Sequence, residues 1–179
     1  MNDLRAVLEA ADTAARWHCH QRRKGDAEEP YINHLVEVAR LVADATDGSD
    51  PDLVIAALLH DSIEDCGINA AEIGDRFGSD VAALVVAVTD DKALPKQTRK
   101  QLQIDHAPGL SARAKVLKQA DKTSNLRALG ASPPRGWPVE RKREYIAWSR
   151  AVVAGTRGTN AWLEAEFDCA ADAATAAVG

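Results

Sequence analysis

The sequence predicts an all-α fold, and three observations predict it. Apolar residues recur three and four positions apart along most of the chain, the spacing of a buried helix face. The punctuation between these runs is helical, with Asp-Pro, Asn-x-x-Glu and Ser at starts and Gly or Pro at stops. No repeat, low-complexity linker or convincing hairpin signal interrupts the pattern. A single helical bundle over residues 1–169 follows, with an Ala-rich tail, 170–179, expected to fray.

Taken in order, Leu4, Val7, Leu8, Ala11 and Ala15 give a first helix one apolar face, ending near His18. QRRKGDAEEPY (21–31) is a polar loop broken by Gly25 and Pro30. A second helix is expected over 33–45. Asp50-Pro51 sets an acidic N-cap before proline at the first helical position, so a third helix runs to His60 and Asp61, with Glu64 and Asp65 in the next turn. Asn69 and Glu72 suit the start of a short helix that stops at Gly78. Ser79 opens another through Val81, Leu84, Val85 and Val88. Here a strand competes by propensity, but the alanines of VAALVVAV and the Ser-Asp start favour helix. After the DDKALPK loop, helices are expected over 97–106, from a Ser111 cap to Leu129, over 139–154, and from Thr159 or Asn160 onward.

Composition narrows the function. At 179 residues the chain can bury one core without staples. A formal charge of −5 argues against a general nucleic-acid binder, while leaving room for a local basic pocket. Cys19, Cys66 and Cys169 are too few and too scattered for a disulfide framework. No apolar run is long enough to span a bilayer, and the charged N-terminus is no signal peptide. The expectation is a cytoplasmic protein with a small-molecule partner and neither nucleic acid nor membrane; oligomeric state is not legible.

The chemistry concentrates in AALLHDSIED (56–65). Helical spacing sets Glu64 one turn beyond both His60 and Asp61, and Asp65 one turn beyond Asp61, while Ile55, Leu58 and Leu59 bury the other side. Three acids and an imidazole at the end of a greasy helix are costly unless compensated, and a divalent cation compensates them.

This segment and its neighbours resemble a known family. RRKGDAEEPYINH (22–34), HDSIED (60–65), VTDDKALPKQTRKQLQIDHAP (88–108), KQADKTSNLRAL (118–129) and GTRGTN (155–160) stand in the same order as in the HD-domain small alarmone hydrolases, stand-alone relatives of the hydrolase half of the RelA/SpoT homologues. The similarity runs from about Ala10 to about Leu163. It implies a metal-dependent hydrolase of guanosine 3′,5′-bis(diphosphate) and its pentaphosphate analogue, releasing the 3′ pyrophosphate. The metal ligands it implies are His34, His60, Asp61 and Asp121. Two imidazoles and two carboxylates make a mixed N/O set that fits manganese, magnesium or iron better than a structural zinc site; the resemblance implies one manganese ion.

By the same resemblance Glu64 and Asp65 are the catalytic acids, a role that suits carboxylates beside a metal-activated water. The matching Arg-Lys pair, Arg23 and Lys24, is implied to face guanine and the ribose phosphates. Asn125, one helical turn beyond Asp121, shares its face and is a candidate substrate contact. Lys96, Arg99, Lys100 and Tyr145 are further candidates without an assigned role, and His18, His20 and His106 match no ligand position. One departure stands out: Leu35 replaces the proline that usually follows the histidine, removing a fixed φ early in the helix and allowing a small shift of His34. Two rival readings use the same residues: an HD phosphohydrolase of another nucleotide, such as a dinucleotide carrying a ribose phosphate, and a non-catalytic alarmone-binding protein.

Overall fold

Four side chains close helix starts in the computed structural model, which describes residues 3–179. Asp50 accepts from the Leu53 amide, Asn69 from Glu72, Ser111 from Ala114 and Asn160 from Leu163, at 2.8–3.2 Å. Each satisfies an amide that the first turn of a helix leaves unpaired. The helices are α1 (Asp3–Trp17), α2 (Ile32–Ala45), α3 (Pro51–Leu59), α4 (Ser62–Cys66), α5 (Ala70–Phe77), α6 (Ser79–Val88), α7 (Lys96–His106), α8 (Ala112–Ala131), α9 (Val139–Ala154) and α10 (Ala161–Val178), with a 3-10 turn at Ala107–Gly109. Among the described residues there is no strand, only isolated bridges joining Arg22 to Pro30 and Gly25 to Pro134. Among the described residues, no helix is long and apolar enough to cross a membrane.

Every residue of α3 from Leu53 to Leu59 is buried, because α1, α2 and α6 surround it. An all-apolar helix of this kind is stable only as the centre of a core. The VAALVVAV segment is helical: Val81, Leu84, Val85 and Val88 face inward while Val86 is exposed. Helix α8 completes this core with Val116, Leu117 and Ala120, then enters a second cluster with Leu126 and Leu129. There it meets Ile146 and Val153 of α9 and Phe167 of α10. Gly130, expected to stop α8, lies inside it. A Cβ there would sit 3.5 Å from the Ala174 Cα, an ordinary contact distance, so α8 packs closely on α10 at this point.

The sequence expectation fails in three further places. The segment from Ala170 does not fray: it is the C-terminal half of α10, with Ala170, Ala171 and Ala174 buried against α8 and α9. Alanine is the best helix former, and its small side chain suits a close helix–helix contact. In α1, Leu4 and Leu8 are exposed, and the buried face runs through Ala10, Thr13 and Ala14, with Val7 and Ala11 at its edge. The helix turns its small residues, not its large ones, toward buried α3. Finally, the helix expected to pass through His60 breaks there. α3 ends at Leu59, Asp61 adopts φ −98° and ψ 0°, and α4 is only five residues long, closed by Gly67 at φ +70°. This break turns the Asp61 carboxylate inward.

Phe167 is fully buried at the centre of the second cluster. Phe167→Ala is expected to cost about 3–5 kcal/mol, measured as a shifted urea midpoint. A smaller loss than about 1 kcal/mol would mean that α10 contributes little to the fold.

Candidate metal centre

Two helices and one turn converge on a single buried point. His34 comes from the first turn of α2, His60 and Asp61 from the turn after α3, and Asp121 from the middle of α8. The Asp61 Oδ2 lies 3.2 Å from His60 Nε2 and 3.7 Å from His34 Nε2; Asp121 Oδ1 lies 3.4 Å from His34 Nε2 and 3.7 Å from His60 Nε2. One ligand atom each from His34, His60 and Asp121 fits within 4.8 Å. The rings are 3% and 5% exposed, and both Nε2 atoms are buried without a hydrogen-bond partner. A buried polar atom without a partner carries a desolvation cost. Two such atoms facing two carboxylates are what a cation would satisfy.

The outer nitrogens show how the rings are held. His60 Nδ1 lies 2.8 Å from the Ala57 carbonyl, which can only accept, so Nδ1 carries a hydrogen and Nε2 is the nitrogen turned inward. His34 Nδ1 lies 2.8 Å from Ser124 Oγ, which donates its hydrogen to Glu37 Oε2 at 2.7 Å. Ser124 therefore accepts from His34, and the same arrangement results. Arg127 anchors Glu37 at 3.1 Å and extends to Glu166 on α10. Such outer partners fix ring orientation and metal affinity. Ser124→Ala is expected to weaken manganese binding about 10- to 100-fold in a direct titration, with unchanged helical circular dichroism. An unaltered affinity would remove Ser124 from this role.

Charge in the ring is polarised. Burial pushes His34 below the ordinary histidine range, with Arg23 and His60 adding to the effect. Burial also opposes charge on His60, but Asp61 and Asp121 outweigh it and hold that ring up at about 10. Burial likewise opposes ionisation of both acids, yet His60 and His34 beside Asp61, and Lys122 and the two imidazoles beside Asp121, keep both carboxyls below their usual range. The centre thus binds positive charge even from a proton, and neutral imidazoles with ionised carboxylates suit a divalent ion. Asp61 Oδ2 also accepts from Tyr31 Oη at 2.6 Å; Asp121 takes Lys122 Nζ at 3.0 Å and Asn125 Nδ2 at 2.6 Å.

Glu64 and Asp65 lie beside the ring in different settings. Glu64 is half-buried, accepts from the Asp90 amide at 3.4 Å and has Arg99 Nη1 3.5 Å away. Burial raises its carboxyl, helped by the nearby Asp90 and Asp61. Asp65 is more exposed; Lys92 donates to its Oδ1 at 2.6 Å and Gln21 to its Oδ2 at 2.7 Å.

A cavity of about 480 Å³ opens alongside, lined by Arg23, Lys24, His34, Asp65, Asn125 and Tyr145 among others. Asn125 joins cavity to ring: its amide donates to Asp121 while its oxygen accepts from Arg23 Nη1 at 3.1 Å. The loop bearing Arg23 and Lys24 is pinned at Gly25. A Cβ there would lie 2.3 Å from the Ser132 carbonyl oxygen, so only glycine lets the loop approach the end of α8. Of the cavity's aromatic lining, Trp137 lies under Arg141 at 4.2 Å and Tyr145 contacts both Trp137 and Trp148, the latter under Lys100 at 4.9 Å. Lys96, already lowered by partial burial, is pressed further by Arg141, Lys24 and Arg99.

The structure brings together all nine residues singled out from sequence: His34, His60, Asp61 and Asp121 at the ring, Glu64 and Asp65 beside it, Arg23, Lys24 and Asn125 at the cavity. Leu35 is fully buried, so the residue replacing proline is a core side chain, and His34 still points into the ring. His18, left without a role, is buried, stacks on Tyr31 and lies 2.5 Å from Gln21, the partner of Asp65. Sequence reasoning missed Tyr31, Glu37, Ser124 and Lys122. Ser124, three residues after Asp121 on one helix, carried a positional signal; Glu37 and Tyr31 carried none without the tertiary fold. Lys92, grouped by sequence with the basic residues of the substrate side, pairs instead with Asp65.

Residues 10–146 match the HD domain family. The chain is 47% identical to guanosine-3′,5′-bis(diphosphate) 3′-pyrophosphohydrolase MESH1 of Xenopus tropicalis, over 93% of each chain, and 48% identical to the Homo sapiens protein of that name, over 88% of each. A solved structure of a metazoan orthologue of SpoT that hydrolyses ppGpp and plays a role in starvation responses superposes with a TM-score of 0.89 at 44% identity, covering 92% of this chain and 93% of that one. With its paired histidines and aspartates at the meeting point of α2, α3 and α8, and a family match over most of its length, the chain belongs to the HD-domain family.

Proposed function

We propose that this protein is a guanosine-3′,5′-bis(diphosphate) 3′-pyrophosphohydrolase. It cleaves the bond between the ribose 3′ oxygen and phosphorus, consuming water and releasing pyrophosphate with GDP, or with GTP from the pentaphosphate. The observation that carries this reading is the pair of unpartnered, buried imidazole nitrogens facing Asp61 and Asp121, beside a cation-lined cavity. Relatives that share nearly half of the sequence over almost the full chain bear that activity in their names.

His34, His60, Asp61 and Asp121 would hold one divalent ion, and the mixed N/O donors support manganese. When bound, such an ion polarises phosphoryl oxygens and lowers the pKa of a water. The chain's own groups do the rest. Glu64, its carboxyl raised above the ordinary glutamate range by burial, takes the proton from the attacking water and Asp65 borders the cavity where the leaving group departs. Arg23 presents a planar guanidinium able to stack on a purine, and Lys24 a point charge for phosphate. Asn125 couples Arg23 to Asp121, so nucleotide and ring are positioned together. The cations at Lys96 and Lys100 suit the second diphosphate of the substrate. A small guanine nucleotide as substrate supports a cytoplasmic enzyme.

Metal-stripped protein given guanosine tetraphosphate, with and without manganese, tests the reading by anion-exchange separation of products. Manganese-dependent GDP and pyrophosphate are expected. Orthophosphate as the sole leaving product would indicate a phosphatase instead, and tight binding without turnover a non-catalytic sensor.

A further inference from the structure

Each oxygen of the Glu64 carboxylate has a partner in the segment that follows α6, independently of the metal ring. The Asp90 amide donates to Oε2 at 3.4 Å, and Arg99 Nη1 stands 3.5 Å from Oε1. Arg99 also reaches Asp90 Oδ2 at 4.0 Å, and Gln103, one turn further along α7, donates to that same oxygen at 2.7 Å. Helix α7 therefore holds Asp90 with one residue and Glu64 with another. The charges facing Glu64 from elsewhere are Asp61, Asp65 and Asp90, all carboxylates. Among the described residues, Arg99 supplies the ion pair that Glu64 makes, just as Lys92 supplies that of Asp65. The Arg99 side chain is 24% exposed, its Nε is buried without a hydrogen-bond partner, and the residue lines a second cavity of about 220 Å³. An unmet N–H carries a desolvation cost, which the contacts of the other edge of the guanidinium must offset.

We infer that Arg99 is a positioning residue for Glu64, holding its carboxylate in the plane and direction in which it meets the attacking water. The inference rests on the hydrolase reading above and assigns a task to a residue otherwise open to being a phosphate contact. With a neutral side chain at position 99, repulsion from Asp90 and Asp61 lets Glu64 swing away, and displacement of a reacting group by about 1 Å costs on the order of 100-fold.

The test compares wild type, Arg99→Gln, Arg99→Lys, Glu64→Gln and the Arg99→Gln/Glu64→Gln double variant as manganese-loaded proteins hydrolysing guanosine tetraphosphate. Circular dichroism and manganese affinity serve as controls for fold and ring. Arg99→Gln is expected to lower kcat about 10- to 100-fold with KM within about twofold, and Arg99→Lys to recover most of the loss. The double variant should be no slower than Glu64→Gln alone, because Arg99 acts through Glu64. A raised KM with unchanged kcat, or a full additional loss in the double variant, would make Arg99 a separate substrate contact and overturn the inference. Wild-type turnover matched by Arg99→Gln would overturn it alone; a wild type without turnover would take the hydrolase reading down with it.

Discussion

Asp61→Ala is expected to abolish hydrolysis of guanosine tetraphosphate and leave a folded, helical protein. The Asp61 carboxylate is the group nearest His60 Nε2, at 3.2 Å, and it reaches His34 as well. Its removal opens one side of the ring and takes away one of the two negative charges that would balance a divalent ion. Manganese binding should be lost along with turnover, a fall of at least about a thousandfold given the contribution of metal-activated water. The fold should survive because both apolar clusters are untouched: Asp61 lies in the turn between α3 and α4 and caps neither with its side chain. The main structural cost is the Tyr31 hydroxyl, which loses its acceptor, worth about 1–3 kcal/mol. Far-ultraviolet circular dichroism, manganese titration and product analysis on one preparation check all three parts. Full activity in this variant would sink the assignment of the centre.

Glu64→Gln should cost about 10²- to 10⁴-fold in kcat, with KM and manganese affinity nearly unchanged. Glutamine keeps the shape and can still accept from the Asp90 amide, but it cannot take a proton. The pH profile adds a signed test. Burial, with Asp90 and Asp61 close by, raises the Glu64 carboxyl, so the ionised base is lost on acidification earlier than for an ordinary glutamate. The acid limb of kcat/KM in the wild type is therefore expected above the usual glutamate range, and it should vanish from the slow residual rate of Glu64→Gln. An unchanged rate in that variant would shift the proton-handling role to Asp65, and Asp65→Asn would then carry the larger loss.

These expectations draw on two layers of information. The helices were legible where local chemistry alone decides them. Asp50, Asn69, Ser111 and Asn160 cap within their own turns, and their amide partners lie three residues away. The α3 core was legible because seven consecutive apolar residues can be stable only inside. The errors arose where a distant partner chooses. Leu4 and Leu8 looked like the inward face of α1, but the close approach to α3 selects the side with Ala10 and Ala14. The Ala-rich end looked frayed because nothing nearby stabilises it; Phe167 and the second cluster do so across the fold.

The candidate site divides in the same way. His60, Asp61, Glu64 and Asp65 stand within six residues, so their proximity is written in the chain, and the ordered motifs identify the family. What the sequence determined by itself is this inventory of chemical groups and the helices that carry them. Only the tertiary structure decided their relation. It broke the helix at His60 so that Asp61 turns inward, presented two bare imidazole nitrogens by engaging Nδ1 with Ala57 and Ser124, and gave the two acids separate basic partners in Lys92 and Arg99. The physical reason is range. Caps and periodicity act within a turn or two, whereas the protonation and orientation of a buried polar group depend on distant partners, such as Ser124 for His34, 90 residues away.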